Sequence, residues 1–185
     1  MIRLLADASS RWGSFFFNDG VDPVACVLSY SGCGTFRRSH MRPNTITMLP
    51  GDFLAPSLLS SLDKGFGMVD LLNRVGGVGI QYVCFGNHEN DVPIEELRKR
   101  IKEFKGVWLN TNMPDFEPSL PDYDIVEVKA GGQTRRVGLI GLLTVDKNLY
   151  RPGAFGGGID TALPVMETAA RFCSHKWKIL ITLLA

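Results

Sequence analysis

Two short segments hold the residues whose types and spacing could do chemistry. One is Gly51-Asp52, behind the apolar run Ile46-Thr47-Met48-Leu49. The other is Gly86-Asn87-His88-Glu89, behind Tyr82-Val83-Cys84-Phe85. Each puts a hard-metal ligand type directly after a glycine at the end of a β-like run. A carboxylate has two oxygens and can bridge a pair of divalent ions, and an amide oxygen can hold the second of them. Asp52 is placed for the first role and Asn87 for the second. His88 follows Asn87 on the same turn, where it can protonate a leaving oxygen or stabilise charge on a phosphoryl group. Asp91, three residues on, is the carboxylate that would keep His88 protonated and oriented. The set suits hydrolysis of a phosphate ester assisted by two metal ions. Singly, each signal is weak: a Gly-Asp pair is ordinarily a turn, and an exposed His is ordinarily inert. The paired strand-Gly-ligand arrangement is what carries the reading.

The elements that must position these residues are legible from position 45 onward. Residues 45–49 read as a strand. Pro56 can stand in the first turn of a helix, where its missing N–H costs nothing. Leu58, Leu62, Phe66, Val69 and Leu72 then recur at steps of three and four, which predicts one apolar helical face stopped by Gly76-Gly77. Residues 80–85 form the next strand. Pro93 opens a helix with Ile94, Leu97, Ile101 and Phe104 on one face, and Val107-Trp108-Leu109 is a short strand. This β-α-β-α-β order favours a parallel sheet. Residues 123–128 and 136–142 are strand-like around Gly131-Gly132, a hairpin signal. The run 153–158 is glycine-rich, but it lacks the Lys-Ser/Thr of a phosphate loop and reads as an ordinary turn. Asp160 is expected to cap a helix reaching about Cys173, before a last strand at 178–184. Residues 1–44 show no regular period, and the basic cluster Arg37-Arg38-Ser39-His40-Met41-Arg42 reads as a solvated loop.

Composition narrows the class. A chain of 185 residues with 45% hydrophobic content supports a globular core of one domain, or part of a larger one. A net charge of +1 argues against a nucleic-acid partner held by general electrostatics. The four cysteines, Cys26, Cys33, Cys84 and Cys173, form no Cys-x-x-Cys pair. A reduced compartment is the default, and Cys84 reads as a small core residue. No apolar stretch is long enough for a membrane helix, and the start is too weak for a secretory signal, so a cytoplasmic location is the default expectation.

Gly51-Asp52, Gly86-Asn87-His88-Glu89 and Asp91 resemble the second and third motifs of the calcineurin-like metallophosphoesterases. Gly51-Asp52-Phe53-Leu54-Ala55-Pro56-Ser57 with Lys64-Gly65, the strand Trp108-Leu109-Asn110-Thr111-Asn112, and Val137-Gly138-Leu139-Ile140-Gly141-Leu142 look like the 5′-nucleotidase branch. The resemblance covers about residues 45–184 and is strongest over 49–112. It implies an α/β fold, a partial four-layer α/β/β/α sandwich with ligands on loops at strand ends. It implies two divalent ions such as zinc or manganese, bridged by Asp52, with Asn87 on the second. It also implies a His88–Asp91 dyad acting in the transition state, and nucleotide monophosphates or related phosphomonoesters as substrates. The family's first ligand, an Asp after the first strand, has its nearest equivalent in Asp19 of Phe16-Phe17-Asn18-Asp19, but Val21 stands where a second ligand is needed. The family's later His and its Gly-His-x-His have no counterpart, and His40 and His175 match no motif.

The expectation is therefore a metallophosphoesterase domain over 45–185, truncated at the C-terminus, behind an irregular segment 1–44. An exposed last strand would invite association. The alternative is a catalytically inactive fragment or pseudoenzyme that keeps the scaffold as a binding module.

Overall fold

The computed structural model describes residues 2–7, 14–16, 25–28, 46–74, 79–130, 133–173 and 179–184. Two sheets form its centre. The first has the order β2-β3-β4-β5-β6, with β2 Ser14–Phe16, β3 Ala25–Leu28, β4 Ile46–Leu49, β5 Tyr82–Cys84 and β6 Val107–Leu109. All its pairings are parallel except β2 with β3. The second has the order β1-β9-β8-β7, with β1 Ile2–Asp7, β7 Tyr123–Ala130, β8 Gln133–Leu142 and β9 Ile179–Leu184. There β7 and β8 pair antiparallel, and β9 runs parallel to both β8 and β1.

Alternation along the strands assigns their two faces. Ile46 and Met48 of β4, Tyr82 and Cys84 of β5 and Leu109 of β6 turn inward, against Val128 of β7 and Val137 and Leu139 of β8. Their neighbours Leu49, Val83 and Trp108 turn the other way, into a cluster with Val69, Leu72, Leu97 and Ile101. Those four belong to the helices α2 Phe66–Arg74 and α3 Ile94–Glu103. On the far side, Ile140 and Leu142 of β8 meet Ala169 of α4 Val165–Cys173. The layers are helix, sheet, sheet, helix. Strands buried on both faces explain why β4 and β5 read as continuous apolar runs.

Three expectations need correcting. The stretch from Leu58 onward is two helices, α1 Leu58–Asp63 and then α2, because Lys64 takes a left-handed conformation at φ 54°. The Asp63 carboxylate accepts from the Gly65 and Gly67 amides at 2.9 and 2.8 Å, at the start of the second helix. As a result Leu58, Leu62 and Phe66 are exposed at 86, 78 and 53%, while Val69 and Leu72 are buried. Asp160 does not cap α4. It lies in a 3-10 segment, Ala154–Thr161, and accepts from the Gly153 amide. The last strand is no exposed edge, because β9 is flanked by β1 and β8. Strands β1–β3 all fall within 1–44, where the sequence shows no period.

Candidate active site

In parallel strands, chain segments leaving the carboxyl ends emerge along one edge of the sheet. Strands β4 and β5 pair Leu49 with Val83, so Gly51-Asp52 and Gly86-Asn87 leave the sheet side by side. The two loops then touch. A Cβ on Gly51 would lie 2.2 Å from the Gly86 nitrogen, and a Cβ on Gly86 would lie 2.3 Å from Asp52 Oδ1. Only glycine permits that approach, and Gly51 is also at φ 21°. Asp52 follows at φ 56°, in the left-handed region that short polar side chains tolerate better than others.

The second loop turns immediately into a 3-10 helix, Asn87–Asp91. Side chains three apart eclipse in that geometry, which brings His88 Nδ1 within 2.7 Å of Asp91 Oδ2. The two side chains meet as a hydrogen-bonded pair. Both side chains are partly open, 42 and 49% exposed. The hydrogen bond to Asp91 holds the His88 pKa above its usual value against the opposing effect of burial, with the Asp52, Asp91 and Glu89 charges adding to the rise. With Nδ1 engaged by Asp91, Nε2 is the ring atom able to meet a substrate. The His88 amide donates to Asp52 Oδ1 at 3.0 Å, joining the dyad's backbone to the carboxylate of the other loop. Asn87 is half-buried between Gly86 and His88, the two residues that touch that carboxylate.

Glu89 belongs to the motif but has no part in the metal and dyad roles expected of its neighbours. It is completely buried and accepts four backbone amides, from Asp52, Phe53, Leu54 and Gly86. Burial pushes its carboxyl up to about 7, with the four amides pulling the other way. The available signal was the spacing of a glycine N-cap and a Glu three residues later, half of a capping box. Asn90 was missed as well. Its Oδ1 accepts from the Phe155 amide at 2.8 Å and ties the glycine-rich segment to the site. Phe155 lies in an aromatic group with the buried Phe85 and Phe116 and the half-buried Tyr150. The Tyr150 hydroxyl donates to the Thr144 carbonyl, and burial, together with the Asp52, Glu89 and Asp146 carboxylates, raises its pKa. Cys84 is the inert core thiol expected of it, pushed up to about 12 by burial.

Asp52 and Asn87 are the expected metal donors brought together, and both are of the right hard-oxygen chemistry. Asp19, His40 and His175 lie outside the described residues. Among the described residues no group of three or more His, Cys, Asp or Glu side chains could hold a metal ion. Among the described residues, Asp52 and Asn87 by themselves do not amount to a two-metal centre. Among the described residues, too, no helix is long and apolar enough to cross a membrane.

No protein-family model matches the sequence, and no curated protein matches it. Solved structures do. A 5′-nucleotidase precursor from Thermus thermophilus superposes with a TM-score of 0.61 at 21% identity, over 82% of this chain and 30% of that one. The NAD nucleotidase of Haemophilus influenzae gives 0.59 at 22% identity, over 82% of this chain and 26% of that one. A calcineurin-like phosphoesterase from Bacillus subtilis gives 0.55 at 16% identity, over 80% of this chain and 50% of that one.

The fold is that of the 5′-nucleotidases. Within that fold the chain spans about a quarter to a half of the length of the structures it matches. The α/β/β/α layering implied by the sequence motifs is found in the chain's own packing.

Proposed function

We propose that this chain is part of a 5′-nucleotidase-like metallophosphoesterase, a phosphoric ester hydrolase acting on nucleotide monophosphates or related phosphomonoesters. The observation that carries the reading is the junction of the two loops. The Asp52 carboxylate of one loop is bonded to the backbone of His88 on the other, and His88 is held by Asp91 at 2.7 Å. In this reading Asp52 and Asn87 are metal donors, and Asp19 is the donor that joins them. A pair of divalent ions, zinc or manganese, would supply charge neutralisation and an activated water. His88 acts from this chain's own side: Nε2 donates a proton to the leaving oxygen or a hydrogen bond to the phosphoryl group. Asp91 fixes the tautomer that leaves Nε2 outward and stabilises the charged ring. The nucleotidase names of the structural relatives support the substrate class.

A second reading is a binding module that keeps the scaffold without turnover. It is favoured by the count of metal-ligating side chains among the described residues, which falls short of three at any one place. Hydrolysis of p-nitrophenyl phosphate with added Mn²⁺ or Zn²⁺ separates the two. The first reading expects turnover that falls roughly 10²-fold or more in His88→Ala and is lost in Asp52→Ala. Absence of turnover above buffer would leave only the second.

A further inference from the structure

Four backbone N–H groups converge on a single side chain. Glu89 Oε2 accepts from the Asp52 and Gly86 amides at 2.7 and 2.6 Å, and Oε1 accepts from the Phe53 and Leu54 amides at 2.8 and 3.1 Å. Three of these amides belong to the loop after β4 and one to the loop after β5. Successive amides in a stretch with left-handed residues form a concavity that ordinarily receives an external anion. Gly51 and Asp52 have that conformation, at φ 21° and 56°. The chain fills the concavity with its own carboxylate, which has no exposed surface.

We infer that Glu89 is the positioning residue of this site: its carboxylate clips the two loops together and so sets where Asp52 and Asn87 stand relative to each other. A left-handed backbone at a residue other than glycine persists only where its surroundings hold it. Asp52 is held from both sides, its N–H by Glu89 Oε2 and its Oδ1 by the His88 amide. A single oxygen, Oε2, joins residue 52 to residue 86, the residue immediately before Asn87. Without the carboxylate, four amide dipoles would face one another with no acceptor between them. The consequence for metal binding rests on the proposed metallophosphoesterase reading. The positioning of Asp52 does not.

The test uses the full chain, ¹H–¹⁵N NMR and Mn²⁺ as the probe. In the wild type the amides of residues 52, 53, 54 and 86 are expected downfield and slow to exchange, and Mn²⁺ broadens Asp52 and Asn87 first. In Glu89→Ala those four amides should move upfield and exchange faster, while Val83 and Leu109 stay in place. The Mn²⁺ concentration for half-broadening should rise roughly 10-fold or more, the usual effect of removing a group that orients a ligand. Formate, a free carboxylate small enough for the emptied nest, should reverse both changes, which a general loss of stability would not allow. Should Glu89→Ala fail to fold, Glu89→Gln decides instead. Its single carbonyl oxygen can serve one pair of amides only, so one pair should shift and the other hold. Unmoved amides overturn the inference, as does an unchanged Mn²⁺ midpoint alongside displaced amides. A wild type in which Mn²⁺ broadens neither Asp52 nor Asn87 sinks the metal reading instead. The positioning claim then stands or falls on whether the Asp52 carboxyl ¹³C resonance moves in Glu89→Gln.

Discussion

Two places in this chain use a buried polar side chain to hold backbone segments together, and they differ in what they leave over. At the end of β6, Asn112 is fully buried. Its Nδ2 donates to the Leu143 and Leu163 carbonyls at 2.8 and 3.1 Å, and its Oδ1 accepts from the Leu143 amide at 2.9 Å. Thr111 beside it exchanges hydrogen bonds with the Gly141 backbone, so this corner stitches one sheet to the other. At the ends of β4 and β5, Glu89 is equally buried and equally engaged. Around it, however, stand Asp52, Asn87 and His88, half-buried, and Asp91, exposed. The first corner uses its chemistry inward. The second has a rigid centre whose neighbours turn polar atoms to solvent, which is what a preorganised site requires.

The largest effect is expected where the two loops touch. Gly86→Ala would force a methyl to 2.3 Å from Asp52 Oδ1 and 2.5 Å from the Asp52 amide, and neither backbone can retreat without breaking the Glu89 bonds. A loss of about 3 kcal/mol, read from a denaturant midpoint, is the expected cost of such overpacking. Asn112→Ala removes the partner of one buried amide and two carbonyls and should cost about 2 kcal/mol. On the proposed hydrolase reading the comparison predicts a further split: Asn112→Ala leaves phosphatase turnover per folded molecule intact, and Gly86→Ala abolishes it. Equal losses of turnover would mean that the stitch at β6 is part of the site after all.

That split also marks what could be read from the residues alone. The site loops were legible because their chemistry is local: glycine, ligand type and strand end fall within a few positions of each other. The central strands were legible because burial on both faces leaves an apolar run. Glu89 and Asn112 were not, because partners of each lie far along the chain: Leu163 is 51 residues from Asn112, and Leu54 is 35 from Glu89. The helix break was hidden by the spacing of Leu58, Leu62 and Phe66, which continues across it. What breaks the helix is the left-handed Lys64 and the Asp63 carboxylate, and neither perturbs an apolar period. The interior place of β9 depends on β1, a strand drawn from a stretch without alternation.

A smaller effect, a few degrees in Tm, is expected from pH. The Glu89 carboxyl is raised from 4.5 to about 7 by burial, so between those values the folded chain binds more protons than the unfolded one. Stability should therefore fall as pH rises through that window. His88 acts in the same direction. Its pKa is raised above 6.5, so its contribution is complete below 6.5 and is lost as pH climbs through the folded value. Glu89→Gln should flatten the lower part of the profile and Asp91→Asn the upper part, whereas Asn112→Ala, which removes no titratable group, should shift the curve without changing its slope. A Tm that stays level between pH 5 and 6.5 in the wild type would mean that the four amides outweigh burial and keep Glu89 ionised throughout.

The smallest effect separates both corners from the outer face of α1 and α2. Leu62 is 78% exposed, and Leu72, ten residues further along the chain, is 7% exposed and packed in the cluster beneath the helices. If the break at Lys64-Gly65 is as described, Leu62→Gln removes no core contact and should change stability by less than about 0.5 kcal/mol. Leu72→Gln would bury an amide among apolar side chains and should cost several times more. A single straight helix would instead place Leu62 and Leu72 on one buried face and make the two substitutions comparable. Equal losses at the two positions would therefore restore the uninterrupted helix that the spacing of the leucines suggests.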